Sequence, residues 1–307
     1  MTGDGLAIDI CICTFRRPGV VETLRSLSRL HLLPQWEVRV LVADNDDWPS
    51  ARDWVMEIAA ETGLQIVYIH APARNISTAR NACLDAATAH LVAFLDDDEL
   101  ATEQWLVSLV NIMQRENADV VLGPVLAVYP DECPAWMRQG DFHSTRPTYQ
   151  GSAITTGYCG NALLRREAPA VFGKRFRADL GRSGGEDTAF FADIHTSGGV
   201  IAYAPEALVT EAVPRERAQL AWLLARRFRY GQTYATLWLD TTGAGTMARC
   251  MAALKAAAKA LFCFAAAPSG VADVTRGAFW LLRGSMHTGA VLSFLSFSRI
   301  EPYGHNA

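Results

Sequence analysis

Through its first hundred residues the chain alternates nearly continuous apolar, β-branched runs with segments of helical period, and few folds accept that pattern. Residues 8–15 are such a run; Arg16, Arg17, Pro18 and Gly19 follow, then a helical stretch with Val20, Leu24 and Leu27 on one face. The order recurs, with strands expected at residues 38–43, 65–69 and 91–95 and helices at 48–62 and 76–87. Strands that are apolar on both faces, with amphipathic helices between them, require a parallel sheet covered on both sides. A doubly wound α/β unit is therefore expected.

Beyond it, a helix is expected at 102–117 and a strand at 119–128. Residues 130–151 hold prolines, glycines and aromatics without periodicity, which is longer than a plain connection needs and suggests a functional loop. Residues 153–165 read as strand, and a Gly-rich segment at 181–185 leads into a helix at 186–196. Short strands at 200–203 and 208–212 and a long helix from 215 to about 240 complete this part. The compositional break at 241–245 divides the chain into a unit at 1–240, with halves at 8–128 and 129–240, and a helical extension at 241–307.

With 307 residues, 50% of them hydrophobic and 20% charged, the chain can bury a full core. A formal net charge of -4 gives no reason to expect nucleic acid. The charge is uneven, since between residues 245 and 300 Asp273 is the only acid against Arg249, Lys255, Lys259, Arg276, Arg283 and Arg299. Seven scattered cysteines with no C-x-x-C pair point to neither a disulfide framework nor a zinc site, and Cys11 and Cys13 read as core positions of a strand. A cytoplasmic protein is expected, because residues 1–5 carry an acid and no basic segment before the apolar stretch, and no uncharged run reaches spanning length.

In an open parallel sheet, ligands sit beyond the carboxyl ends of the strands. Those ends carry Thr14, Phe15 and Arg16, then Asp44 and Asn45, then Arg74 and Asn75, then Asp96, Asp97 and Asp98. Three adjacent acids repel one another, and a divalent cation bound among them relieves the repulsion. Asp96 and Asp98 share one side of an extended chain, whereas Asp97 points away unless the backbone turns. A D-x-D clamp of this kind holds Mn2+ or Mg2+ against diphosphate oxygens; a helix N-cap cluster or a solvated acidic turn are the plainer readings of the same run.

At this point the chain resembles the glycosyltransferase family 2 enzymes with the GT-A fold. The resemblance is carried by residues 9–16 (DICICTFR), 42–45 (VADN), 73–81 (ARNISTARN), 94–98 (FLDDD) and 184–187 (GGED), in order and spacing across residues 8–235. The overall shape is similar to the succinoglycan-type transferases of bacterial exopolysaccharide assembly. The resemblance implies a Rossmann-like, mostly parallel central sheet with helices on both faces, residues 8–128 forming the nucleotide-sugar half and 129–240 the acceptor half. It implies that Thr14, Phe15 and Arg16 line the nucleotide pocket and that Asp44 accepts a hydrogen bond from the base. Arg74 and Arg80 would lie near the diphosphate, and Asp96, Asp97 and Asp98 would hold the ribose and the metal.

The same resemblance assigns Asp187 as the base that removes the acceptor hydroxyl proton, with Glu186 beside it in the acceptor site and Asn161 lining the acceptor cleft. The Q-x-x-R-W signature of processive members is missing, and residues 226–233 read RRFRYGQT instead, which favours addition of a single sugar. A nucleotide-sugar donor, a UDP-sugar, and a saccharide acceptor, polyprenyl-diphosphate-linked, are the partners this reading implies. The apolar stretches at 246–264 and 271–297 with their basic edges suit either peripheral contact at the cytoplasmic face of the inner membrane or a hairpin packed on the catalytic unit. A nucleotidyltransferase making a nucleotide-sugar is the competing enzyme class, though residues 14–19 lack its Gly-rich loop, and a non-catalytic sugar-nucleotide-binding protein is the competing binding class.

Overall fold

The computed structural model describes residues 5–271 and 273–296. Its centre is a seven-stranded sheet in the order β11-β6-β10-β4-β1-β2-β3. The strands are β1 (Leu6–Thr14), β2 (Trp36–Asp44), β3 (Ile66–His70), β4 (Leu91–Asp96), β6 (Val120–Leu122), β10 (Asn161–Arg165) and β11 (Ile201–Tyr203). Pairing is parallel except where β10 runs against both β4 and β6.

The period-two pleat of β1 explains why the sheet is covered on both faces. Ile8, Ile10 and Ile12 pack with Val20 and Leu24 of α1 (Val20–Leu27), Val55 and Ile58 of α2 (Arg52–Thr62), and Trp105, Leu106 and Leu109 of α4 (Trp105–Arg115). The alternate residues Cys11 and Cys13 face the other layer, against Ala79 and Cys83 of α3 (Ile76–Ala86) and Phe190, Phe191 and Ile194 of α6 (Glu186–Thr196). Asp9 is the exception in this apolar strand, and it is satisfied by Arg39 at 2.9 Å and by the N–H groups of Thr88 and Ala89.

A smaller sheet, β5-β12-β7, is formed by β5 (Glu99–Ala101), β7 (Val125–Val128) and β12 (Val209–Ala212). The strand expected at 119–128 is therefore two strands in two sheets, because Gly123 and Pro124 interrupt the ladder. The strand expected at 153–165 likewise divides, into β9 (Ala153–Ile154), which pairs with β8 (Tyr149–Gln150), and β10. The expected functional loop contains a short helix, α5 (Ala135–Gly140).

Three long helices close the described chain: α7 (Leu220–Thr242), α8 (Thr246–Ala266) and α9 (Val274–Phe294). Here α9 lies between the other two. Its Gly289 meets the backbone of Phe228 on α7, and Gly231 of α7 meets the backbone of Met286, so that a β-carbon at either glycine has no room. Residue 297 and Arg299, counted in the expected second apolar stretch, lie outside the described residues.

Candidate active site

Three parallel strand ends and the turn after β4 form the floor of the site. The first loop leaves β1 with Arg16 in the left-handed region at φ 54°, and the loop after β3 does the same at Arg74, φ 47°. Such backbone in non-glycine residues costs free energy and persists where neighbouring contacts fix it. Here the contacts are ion pairs to the loop after β2. Arg16 donates to both oxygens of Asp46 at 2.9 and 2.8 Å, and Arg74 Nε donates to Asp47 at 2.9 Å. The Arg16 guanidinium also lies 5.1 Å from the ring centre of Phe15.

Asp44 does not face this opening. It has no exposed surface, and its carboxylate accepts from the backbone N–H of Asp46 at 3.1 Å, that of Ala51 at 2.8 Å and the Tyr68 hydroxyl at 2.7 Å. Asp44 is the residue expected to accept a hydrogen bond from the base; through these three donors it shapes the loop that carries Asp46 and Asp47. Asn161, expected at the acceptor cleft, is fully buried, accepts from Trp105 Nε1 at 2.8 Å and donates to the carbonyls of Pro124 and Ala207, tying the two sheets together.

The acidic run sits where β4 leaves the large sheet and β5 enters the small one. Glu99 folds back to accept the Asp96 N–H at 2.8 Å, which holds the tight turn at residues 97 and 98. Because the backbone turns, the three aspartates diverge. Asp97 goes inward, 4% exposed, beside Thr14, which is itself buried; both, expected at the nucleotide, stand directly behind the surface of the cleft. Burial pushes the Asp97 carboxyl up to about 6, opposed by Arg17 and reinforced by Asp98. The Asp96 and Asp98 side chains stay open, 42% and 30% exposed. Asp96 lies at the cleft floor, where loss of solvent raises its carboxyl against the pull of Arg80.

Arginines surround these acids. Arg17 Nη1 donates to Asp97 at 2.9 Å and Asp98 at 2.8 Å, and Arg217 approaches Asp98 at 3.7 Å while binding Glu211 of β12 at 2.8 Å. Burial drives the Glu211 carboxyl up to about 7, with Asp98 adding to the rise and Arg217 resisting it. Arg17, Glu99, Arg217 and Glu211 were not singled out from the sequence. Arg17 stood next to Arg16 in the same loop, so its signal was present; nothing in sequence ties Arg217 or Glu211 to a turn more than a hundred residues away.

Arg80 connects this floor to the second acidic pair. It is 5% exposed, and it reaches Glu186 at 2.5 Å and Asp96 at 3.4 Å. Glu186 opens α6 after Gly184 and Gly185, both at positive φ, 87° and 93°, a conformation that glycine adopts without steric cost. Thr233 of α7 packs directly on Gly185, bringing the first of the three long helices to the rim. Glu186 is 6% exposed, and its second oxygen is buried without a hydrogen-bond partner. Burial pushes its carboxyl up to about 7, with Asp187 adding to the rise and Arg80 opposing it. Asp187 is half-buried and accepts from the Thr188 N–H at 2.6 Å. The sequence-expected residues Arg80, Asp96, Glu186 and Asp187 therefore meet around one guanidinium, whereas Arg16 and Arg74 brace the neighbouring loops.

Comparison with known proteins gives the family and the fold. The profile of the family described as Glycosyl transferase family 2 matches residues 9–171. The chain is 46% identical to "Succinoglycan biosynthesis protein ExoM" of Rhizobium meliloti (strain 1021) over 304 residues, covering 99% of this chain and 98% of that one. In fold it is similar to the mannosyltransferase PcManGT from Pyrobaculum calidifontis, solved in complex with GDP-Man and Mn2+, with a TM-score of 0.65, 17% identity and coverage of 94% of this chain and 87% of that one. It is also similar to S. aureus TarS 1-349 in complex with UDP-GlcNAc, with a TM-score of 0.54, 14% identity and coverage of 98% and 99%. A family profile spanning more than half the chain and a relative alike over nearly all of it decide the matter, and the chain belongs to glycosyl transferase family 2, as a glycosyltransferase.

Proposed function

We propose that the protein is an inverting, metal-dependent transferase that moves a single sugar from a nucleotide-sugar, a UDP-sugar, to a saccharide acceptor carried on polyprenyl diphosphate. Its place is bacterial exopolysaccharide assembly, at the cytoplasmic face of the inner membrane, to which it attaches peripherally. The relative named for succinoglycan biosynthesis supports the pathway class. The observation that carries the reading is the single buried guanidinium of Arg80, which joins Asp96 on the floor to Glu186 beside Asp187.

In the proposed reaction the acceptor hydroxyl attacks the anomeric carbon from the face opposite the diphosphate. Asp187 takes the hydroxyl proton as the new C–O bond forms, and the bond from the anomeric carbon to the diphosphate oxygen breaks, so the nucleoside diphosphate leaves and the configuration inverts. Glu186 holds Arg80 in place and faces the acceptor with its second oxygen. Arg16 and Phe15 border the nucleotide, with Arg74 near the diphosphate.

Asp98 and Asp96 offer hard carboxylate oxygens on open side chains, which suits Mn2+ or Mg2+. Among the described residues no group of three or more His, Cys, Asp and Glu side chains forms an ion site, so Asp98 and Asp96 would be the two that hold it. A divalent ion held there supplies the positive charge that a departing diphosphate requires. The reading is tested by incubating the protein with UDP-sugars and saccharide acceptors in Mn2+ and following the product by NMR. Expected is a new glycosidic linkage of inverted anomeric configuration that disappears on chelation; retained configuration, or turnover indifferent to chelation, contradicts the proposal.

A further inference from the structure

The surface formed by α8 and α9 is unlike the rest of the molecule. The segment Thr246–Val271 has a mean hydropathy of 1.6 and is long and apolar enough to cross a membrane by length and composition, yet Lys255 and Lys259 interrupt it. A charge near the middle of a bilayer is costly, and one face of the helix is already taken. Ala253, Ala256, Ala260 and Cys263 are its buried residues, and α8 packs along α9. The opposite face carries Met247, Leu254 and Leu261, 83%, 64% and 72% exposed, at the spacing of a single stripe.

Between the two helices runs a groove of about 590 Å³. Phe262, Phe279 and Trp280 line it, the rings of Phe262 and Phe279 standing edge-on to Trp280 at 5.6 and 5.3 Å. Lys259, Arg283 and His287 line it too, and the Arg283 guanidinium lies 5.5 Å from the ring centre of Phe279. Among the described residues neither Lys259 nor Arg283 has a carboxylate within ion-pair distance, and Asp273, the one acid between residues 246 and 294, caps the start of α9. Lys259 and Arg283 are exposed. Burial, followed by the positive charges of Lys259 and Arg283, lowers the His287 imidazole below its usual range, which marks the same uncompensated positive field.

We infer that this groove takes an acidic phospholipid of the bilayer, its phosphate on Lys259 and Arg283, its acyl chain along Phe262, Phe279 and Trp280, and the exposed stripe of α8 against the membrane surface. Charge complementarity selects this occupant, since an aromatic floor with unpaired cations at its edge matches a ligand that is apolar along its length and anionic at one end. The inference rests on the peripheral attachment proposed above and gives it a specific site.

Flotation of the full-length protein with extruded vesicles tests it. Vesicles of phosphatidylcholine with added phosphatidylglycerol are expected to carry the protein upward, and pure phosphatidylcholine vesicles far less. The double variant Lys259→Gln/Arg283→Gln is expected to lose roughly twenty- to thirtyfold in partitioning, about fivefold per basic residue. Its transfer to a soluble acceptor stays unchanged and serves as the check on folding. If the wild type floats equally with both vesicle types, or the double variant floats as well as the wild type, the groove assignment is overturned while attachment stands. If the wild type remains unbound with every vesicle, attachment and groove fall together, leaving the transfer reaction untouched. A concentration-dependent dimer that survives Lys259→Gln/Arg283→Gln but is broken by Leu254→Gln/Leu261→Gln overturns the lipid assignment in favour of a second copy.

Discussion

Glu186 has one oxygen committed to Arg80 and the other to no protein donor, in a place with little water, and its titration follows from that. Its folded carboxyl, at about 7, lies above the ordinary 4.5, so between those values the folded state holds a proton that the unfolded state has lost. The stability this contributes is present below pH 4.5 and is lost as pH rises through 7, about 3 kcal/mol over the whole range. Urea melts of the ligand-free protein at pH 5 and pH 8 are expected to show a larger loss in the wild type than in Glu186→Gln, by about 2–3 kcal/mol, the loss that remains coming from Glu211 and Asp97, whose carboxyls burial also raises, to about 7 and about 6. Arg17 supplies a second expectation. It occupies Asp98, the carboxylate assigned to the metal, so Arg17→Gln should tighten Mn2+ binding roughly tenfold without nucleotide, read by electron paramagnetic resonance of the free ion. Residue by residue, sequence located the loops better than the side chains within them. The loop after β2 holds Asp44, Asp46 and Asp47, and composition does not say which one the fold turns inward. Asp44 is in register with Thr14 at the last pair of the ladder and is taken by the loop's own N–H groups, leaving Asp46 and Asp47 for the arginines.

The strands of the first hundred residues were legible because a strand buried on both faces is apolar throughout, and the polar residue that ends each run marks the carboxyl edge of the sheet. The elements that escaped are short or lie across a break. β5 has three residues, too few for any period, yet it carries the acidic turn from one sheet to the other. The Gly123-Pro124 pair was a visible signal that the run at 119–128 could not stay in one ladder. The start of α2 at Arg52 rather than residue 48 follows from Pro49, because the residue before a proline is biased away from helical backbone, and Trp48 lies in a bend instead. Among the helices, the contact of α7 with α9 is the most exacting, since Gly231 and Gly289 let the two backbones touch. Gly231→Leu is expected to force them apart, with a loss of about 1–3 kcal/mol or more in a chemical-denaturation experiment. Because Thr233, two residues on, packs on Gly185, the same variant should also lower transfer, whereas Gly245→Ala, where nothing lies nearby and the backbone is extended at φ -69°, should cost far less.

Taken whole, the molecule keeps its acids and its exposed apolar surface apart. Asp96, Asp97, Asp98, Glu186 and Asp187 gather around Arg80 and Arg17 in the α/β part, while residues 246–294 carry Arg249, Lys255, Lys259, Arg276 and Arg283 against the single acid Asp273. The charge asymmetry was evident in the sequence; the convergence of residues 17, 80, 98, 186 and 217 was not, because it depends on β10 and β12 bringing the second half back against the first. The central claim is that one end of this acidic site serves the donor and the other the acceptor, with Asp187 removing the acceptor proton. It is tested most directly by measuring Asp187→Asn for both sugar transfer and UDP-sugar binding in Mn2+. Transfer lowered by about a hundred- to ten-thousandfold with donor affinity unchanged is the predicted result. Transfer at the wild-type rate would contradict the account.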